Sequence, residues 1–252
     1  MTAALQTVLM MTEENPAGRE YLKACFAAGV APSAVIVESS ATARRALEYN
    51  TQRMGSLYAP PPTAELLEGR SIPVYLTTRH ISAHVVALLQ RLAPDIVVAG
   101  GVGGILKKDM LGIPRRGFVG CHPGLLPRMR GSNPIGYAIL DDYPVGATCF
   151  VMDEGIDTGP VVYAESLPIR PGDTYEAIEA RMLVHCGVVL ANGLGRLRDP
   201  GFRPEPQRPE DGVTRKQMSP ELLASVRAKL AVGTYGCYSA AGLAASGVER
   251  RR

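Results

Sequence analysis

Four histidines are the side chains of this chain best suited to acid–base work near neutral pH: His80, His84, His122 and His185. His122 stands out by position. It ends the apolar run "GFVGCH" (117–122) and opens a turn built from Pro123, Gly124 and Pro127. Asp157 lies in a second polar, glycine-bearing loop, "MDEGIDTGP" (152–160). A histidine oriented by a carboxylate is a usable general acid–base pair, because the carboxylate fixes the tautomer and stabilises the imidazolium. The spacing also allows His122 a purely structural place. His185 falls on the apolar stripe of a helix and reads as a packed core residue. His80 and His84 have i,i+4 metal-ligand spacing. Without an HExxH pattern or a third ligand they read as surface or interface positions, and no metal is expected. The glycines of "AGGVGGIL" (99–106) do not form a GxGxxG turn with an acidic residue about 20 positions on, so a dinucleotide site is not indicated.

The elements that must place these loops alternate along the first half. Strand-like runs at 5–11, 33–39, 71–77 and 94–101 are separated by helix-like segments at 18–29, 40–54 and 82–93. Continuous apolar runs between helices are how a parallel sheet covered on both faces reads. The expected fold is α/β: a Rossmann-like open, twisted, mostly parallel sheet flanked by helices. Ligands of such sheets bind outside the carboxyl ends of the strands, which puts 99–106, the end of 117–122 and the 152–160 loop on one rim. Strand 117–122, two strand-like runs within 147–169 and a long helix at 173–197 complete a domain over 1–197. The polar, proline-rich stretch from 198 to 252 reads as an extension wrapping that domain, with one helix near 220–231.

The bulk properties narrow the function classes. The 252 residues are 46% hydrophobic and 20% charged with a formal charge of +3, which is too weak a bias to argue for nucleic acid. Arg115, Arg116, Arg128 and Arg130 cluster around the His122 turn, either as a local anion-attracting patch or as scattered loop charges. The five cysteines are odd in number and lack CxxC spacing, so neither a disulfide framework nor a zinc site is indicated and reduced thiols in a cytoplasmic protein fit best. The N-terminus lacks the pattern of a signal peptide, and no run approaches the roughly 20 apolar residues of a membrane helix.

"LAPDIVVAGGVGGILKKDMLGIPRRGFVGCHPGLLPRMRGSNPIGYAILDD" followed by "GATCFVMDEGIDTGPVV" resembles the folate-dependent formyltransferases. These include the glycinamide ribonucleotide, methionyl-tRNA and sugar-nucleotide enzymes. The family hallmark is Asn-x-His-Pro-Ser-Leu-Leu-Pro, then Arg-Gly, then Asp-x-Gly-x-Asp-x-Gly. Here "HPGLLP", Arg130-Gly131 and "DEGIDTG" match it over 122–159. The likeness covers roughly 5–197, and "QRPEDG" (207–212) is similar to a segment common after the family's catalytic domain. The resemblance implies the formyltransferase fold and attack of an amine on the formyl group of 10-formyltetrahydrofolate, the donor substrate. His122 would take the histidine role at the tetrahedral oxyanion and Asp157 the role of managing the proton and orienting the histidine. The pterin would sit against Gly103, Ile105, Leu106 and Leu111 and the loop at Met152 and Asp153, with Arg130 and Asn133 on the substrate side.

The chain departs from that pattern at Gly120, the position of the family asparagine, and at Gly124, that of its serine. Loss of one oxyanion donor typically costs about 2.7–4 kcal/mol. Cys121 does not replace it, since alternation along a strand points it away from the face of Gly120 and His122. A water in the vacated space or an inward swing of the Asn133 amide are the two rescues. "TEENPAG" lacks the glycine- and serine-rich phosphate turn of the ribonucleotide enzyme, and no barrel domain for tRNA is expected. The partner is therefore expected to be a small-molecule amine, an amino sugar or amino acid derivative, with no nucleic acid and no membrane; homodimerisation is open. The rivals are altered chemistry, as a hydrolase or another one-carbon or acyl transferase, and a degenerate protein that binds folate or a partner.

Overall fold

The computed structural model describes residues 5–13, 15–39, 57–102, 104 and 106–239. The helix expected over 40–54 and two residues of the expected pterin site, Gly103 and Ile105, lie outside them. The main sheet has seven strands: β1 Thr7–Thr12, β2 Ala34–Glu38, β3 Val74–Thr77, β4 Ile96–Gly100, β5 Phe118–His122, β7 Gly146–Val151 and β8 Val161–Ser166. Their order is β3-β2-β1-β4-β5-β7-β8. The first five run parallel, and β7 and β8 close that side antiparallel. The sheet is mostly parallel, as the alternation of strand and helix signals predicts.

Three of the helices that carry side-chain caps pack on the main sheet. In α1 (Pro16–Ala27) Asn15 accepts from the Ala17 amide with Pro16 at the first position, and in α3 (Ala83–Leu92) Ser82 accepts from Val85. In α6 (Tyr175–Leu197) Thr174 accepts from Ala177. The short helices α2 (Thr63–Leu67), α4 (Lys108–Leu111) and α5 (Pro134–Leu140) carry no helix signal in the sequence reading. By length and composition α6 is apolar enough to cross a membrane, but more than half of its most apolar window is buried against the sheet and α1. Helix α1 sits very close to the sheet: a Cβ on Gly18 would stand 2.9 Å from the Gly100 carbonyl oxygen, so glycine is what permits the approach.

The extension does more than wrap the surface. Its strand β9 (Val213–Arg215) pairs in parallel with β6 (Met129–Gly131), just after the His122 turn. Its helix α7 (Pro220–Ala231) packs on α5, and Val226 and Leu230 join the hydrophobic cluster that contains Leu9, Val119 and Leu190. A second cluster on the opposite face gathers Val8, Met10, Val97 and Phe118. Val119 and Cys121 belong to the first face and Phe118 to the second, the alternation that a buried strand requires.

Candidate active site

A cavity of about 440 Å³ opens at the carboxyl ends of the parallel strands. The N-terminus of α1, the end of β4, the end of β5, the 152–157 loop and one side of α6 enclose it. Val102, Leu106, Phe150 and Met152 make an apolar wall, whereas Asn15, Asp153, Asp157 and Glu179 supply the polar side chains. Three of the expected pterin contacts, Leu106, Met152 and Asp153, are on this wall. Leu111 is not among the lining residues and packs against the second cluster.

His122 and Asp157 come together: Nδ1 lies 3.4 Å from Asp157 Oδ2. The other ring nitrogen, Nε2, is 2.6 Å from the Met129 carbonyl oxygen. A carbonyl only accepts, so Nε2 carries the hydrogen and Nδ1 presents a lone pair to the carboxylate. Burial holds the His122 pKa below the ordinary histidine value of 6.5, against the opposing pull of Asp157 and the Met129 carbonyl. The resting ring is therefore neutral at pH 7, and a proton arriving at Nδ1 turns an unfavourable contact into an ion pair. Asp157 is the member of the pair on the cavity wall; His122 stands behind it. In this conformation Nε2 is committed to Met129, so the expected direct role of His122 at the oxyanion has no free N–H to serve it.

Asp157 is held at φ 57°, in the left-handed region that aspartate enters more readily than most residues. Its Oδ2 accepts from the Gly131 amide at 2.8 Å. Asp153 folds the same loop by accepting from Gly155 N and the Thr158 hydroxyl.

The two glycines at departures from the family pattern have distinct surroundings. A Cβ on Gly120 would fall 2.6 Å from the Met152 methyl, with no backbone atom nearer than the Ala99 oxygen at 3.8 Å. The Met152 thioether thus fills the space of the missing asparagine, which leaves little room for the water that would substitute for it. A Cβ on Gly124 would meet His122 Nε2 at 2.8 Å and Pro134 Cβ at 2.7 Å. The glycine at 124 is what lets the imidazole lie back toward Met129.

Several expectations need correction. Asn133 does not swing inward: its Oδ1 accepts from the Met218 amide of the extension, and its backbone is left-handed at φ 51°. Arg130 does not face the cavity. Its guanidinium is buried and donates to the side chain of Gln207 and to carbonyls of Arg208 and Pro209. Nor do the arginines form a shared patch: Arg115 pairs with Asp95, Arg116 binds the carbonyls of Leu197 and Asp199, and Arg128 stacks on Tyr143. His80, expected at a surface, is fully buried because Glu38 accepts from its backbone amide at 2.7 Å and lies 3.1 Å from its Nδ1. His84 is exposed and His185 is packed with Nε2 on the Glu165 carbonyl, as the helix periodicity predicts. Cys121 is buried, and its thiol pKa is pushed well up, first by burial and then by Cys186. All five cysteines are free thiols, and among the described residues no group of three His, Cys, Asp or Glu is placed to hold a metal. Gln207, Met152's place over Gly120 and the pocket-lining Glu179 are the site features that the sequence reading missed.

Known proteins resemble this chain in sequence and in fold. The methionyl-tRNA formyltransferase of Halorhodospira halophila is 35% identical over 194 residues, covering 77% of this chain and 59% of its own length. The chain spans about half the length of the other curated relatives it matches. Among solved structures, a phosphoribosylglycinamide formyltransferase from Anaplasma phagocytophilum superposes with a TM-score of 0.60 at 21% identity, covering 84% of this chain and 94% of its own. A sugar N-formyltransferase from a Shewanella species reaches 0.61 at 18% identity, covering 90% and 87%. These two likenesses establish the seven-stranded fold. The sequence pattern of the Formyl transferase family matches residues 6–190, and the chain belongs to that family.

Proposed function

We propose that this chain transfers the formyl group of 10-formyltetrahydrofolate to the amine of a small metabolite, such as an amino sugar or amino acid derivative. The observation that carries the reading is the Asp157–His122 pair, with the carboxylate on the wall of a cavity at the carboxyl ends of the strands and a neutral imidazole behind it. The attacking amine loses its proton as the C–N bond forms. The Asp157 carboxylate is the acceptor at the wall, and Nδ1 of His122, 3.4 Å from its Oδ2, shares the proton, so the charge that develops is an imidazolium held between Asp157 and the Met129 carbonyl. The proton then returns to tetrahydrofolate nitrogen as the donor C–N bond breaks. The apolar wall of Leu106, Val102 and Met152 suits a flat heterocycle, and the neighbouring carboxylates suit its N–H groups. Engagement of the four clustered arginines within the chain favours a small acceptor over a polyanionic RNA, which needs a shared basic face.

One observation favours a second reading, altered one-carbon chemistry: a thioether, not an amide, stands where the oxyanion donor would be. Calorimetry with a stable 10-formyltetrahydrofolate analogue tests the donor. Micromolar binding is expected, and no binding at high micromolar ligand removes the folate reading. Incubation of the formyl donor with amino sugars, amino acid amides and methionyl-tRNA, read by mass spectrometry for one added formyl group, tests the acceptor. Formylation of the tRNA alone would overturn the small-metabolite assignment, and formate release without an acceptor would favour hydrolysis.

A further inference from the structure

We propose that Gln207, in the extension after α6, is a positioning residue for Asp157: its amide fixes the left-handed turn that presents the carboxylate to the cavity and to His122. The proposal rests on the reading of Asp157 and His122 as the reacting pair.

The Gln207 amide donates through Nε2 to two carbonyls of the catalytic loop, those of Asp157 at 3.1 Å and Gly159 at 2.6 Å. Its Oε1 accepts from Arg130 Nε at 3.0 Å. Because a guanidinium only donates, the amide cannot be reversed: oxygen must face Arg130 and nitrogen must face the loop. The guanidinium is itself immobile, being buried and bonded to the carbonyls of Arg208 and Pro209 at 2.9 and 3.2 Å. A rigid cation therefore aims a rigid amide at the backbone of Asp157.

The strand that carries Arg130 ties the arrangement to the chemistry. Three successive residues of β6 each hold one part of it. The Met129 carbonyl takes His122 Nε2, Arg130 orients Gln207, and the Gly131 amide takes the Asp157 carboxylate. Strand β9 of the extension pairs with these same three residues, Met129 with Val213, Arg130 with Thr214 and Gly131 with Arg215. A non-glycine residue at φ 57° stays there only when its surroundings over-determine it. Gln207 is the side chain that grips the Asp157 backbone, whereas Gly131 grips its carboxylate. Without the Gln207 donors the turn is free to relax to negative φ, which carries Oδ2 away from His122.

The test is Gln207→Met, which keeps length and neutrality and removes both donors. Histidine-labelled NMR titration reads the pair directly, because Asp157 is the charged group that faces the His122 ring and raises its affinity for a proton. The His122 midpoint is expected to move to lower pH by about half a unit or more, with His80, His84 and His185 unmoved. In formyl transfer, kcat is expected to fall about tenfold with KM for the donor within about twofold, the pattern of a transition-state defect. Gln207→Glu is the second variant should the methionine disturb folding. It retains the partner of Arg130 but cannot donate to the loop, and it is read by the same kinetic split because its added charge acts on the titration. An unmoved His122 midpoint in a folded Gln207→Met, or equal losses in kcat and donor affinity in both variants, overturns the proposal. A shifted titration in a protein that transfers no formyl group leaves the positioning role standing and removes the formyl-transfer reading; transfer by the parent with an unshifted titration does the reverse.

Discussion

Restoring an amide at position 120 is the sharpest perturbation this site offers. The Gly120 backbone needs no left-handed conformation, and the only close contact a Cβ there would make is with the flexible methyl of Met152 at 2.6 Å, the Ala99 oxygen at 3.8 Å being ordinary contact. Gly120→Asn alone must push that thioether aside, at a cost of about 1–3 kcal/mol for overpacking. Gly120→Asn with Met152→Ala removes the obstruction, and the amide refills much of the volume the methionine leaves. The melting temperature of the double variant is then expected within about 4–8 °C of the parent, equivalent to about 2 kcal/mol in a chain of this size. An oxyanion donor is worth about 2.7–4 kcal/mol, so formyl transfer that is slow for want of one should accelerate about a hundred- to a thousandfold. Single-turnover transfer from 10-formyltetrahydrofolate to the acceptor identified by the amine panel measures it. Gly120→Ala with Met152→Ala controls for space without a donor. If the asparagine double variant is folded and no faster than the alanine control, the oxyanion is not stabilised at this position. The site would then have been rebuilt around the glycine–methionine pair.

Three further outcomes are expected. Asp157→Asn and His122→Ala should each lower kcat by about a hundredfold or more in protein shown to be folded, measured by steady-state transfer; a surviving rate in either removes that residue from the proton path. Gly18→Ala places a methyl 2.8 Å from Met11 Cβ and 2.9 Å from the Gly100 oxygen, both rigid, so calorimetry should show a loss of about 2 kcal/mol, and an unchanged melting temperature would refute the close packing of α1 on β4. Burial holds both His80 and His122 below the usual histidine pKa, so between those lowered values and about 6.5 the unfolded chain binds more protons than the folded one. Their contribution to stability is complete above about pH 6.5 and is lost as pH falls below it; melts between about pH 7.5 and 5 should show a falling midpoint, and a flat or rising profile contradicts the assignment.

The parallel half of the sheet was readable because its signals are local. Each of β1, β2, β4 and β5 is buried along its whole length, and apart from polar residues at strand ends such as Thr7, Thr12, Glu38 and His122 each is an apolar run. The long helix α6 is likewise marked by its own residues, with the cap Thr174 next to its first turn. What escaped is short or shared between distant segments. Strands β6 and β9 have three residues each, too few for a period to emerge, and neither exists without the other, 84 positions away. His80 reads as a surface residue until Glu38, 42 positions earlier, is seen to supply its buried acceptor.

The candidate site divides along the same line. His122 and Asp157 could be named because a histidine at a strand end and an acid in a glycine loop are chemical signals in themselves. What governs their competence is nonlocal. Arg130 looked like a cation for a substrate because an arginine in a loop normally has water for a partner. Three of its N–H groups are instead taken by the Gln207 side chain and the carbonyls of Arg208 and Pro209, 77 to 79 positions on, and a buried guanidinium bound to those internal acceptors is turned away from the cavity. Met152 looked like part of a pterin wall, which it lines, yet its methyl also occupies the place of an absent side chain. Methionine is the residue whose flexible, unbranched stem can do both. The gap at Gly120 is therefore filled by an apolar group, and whatever charge develops there meets a thioether where the rest of the family pattern presents an amide. Under the proposed formyl transfer, the retained Asp157–His122 pair and the replaced donor would pull the rate in opposite directions, with the proposed Gln207 contact setting how well the pair is held.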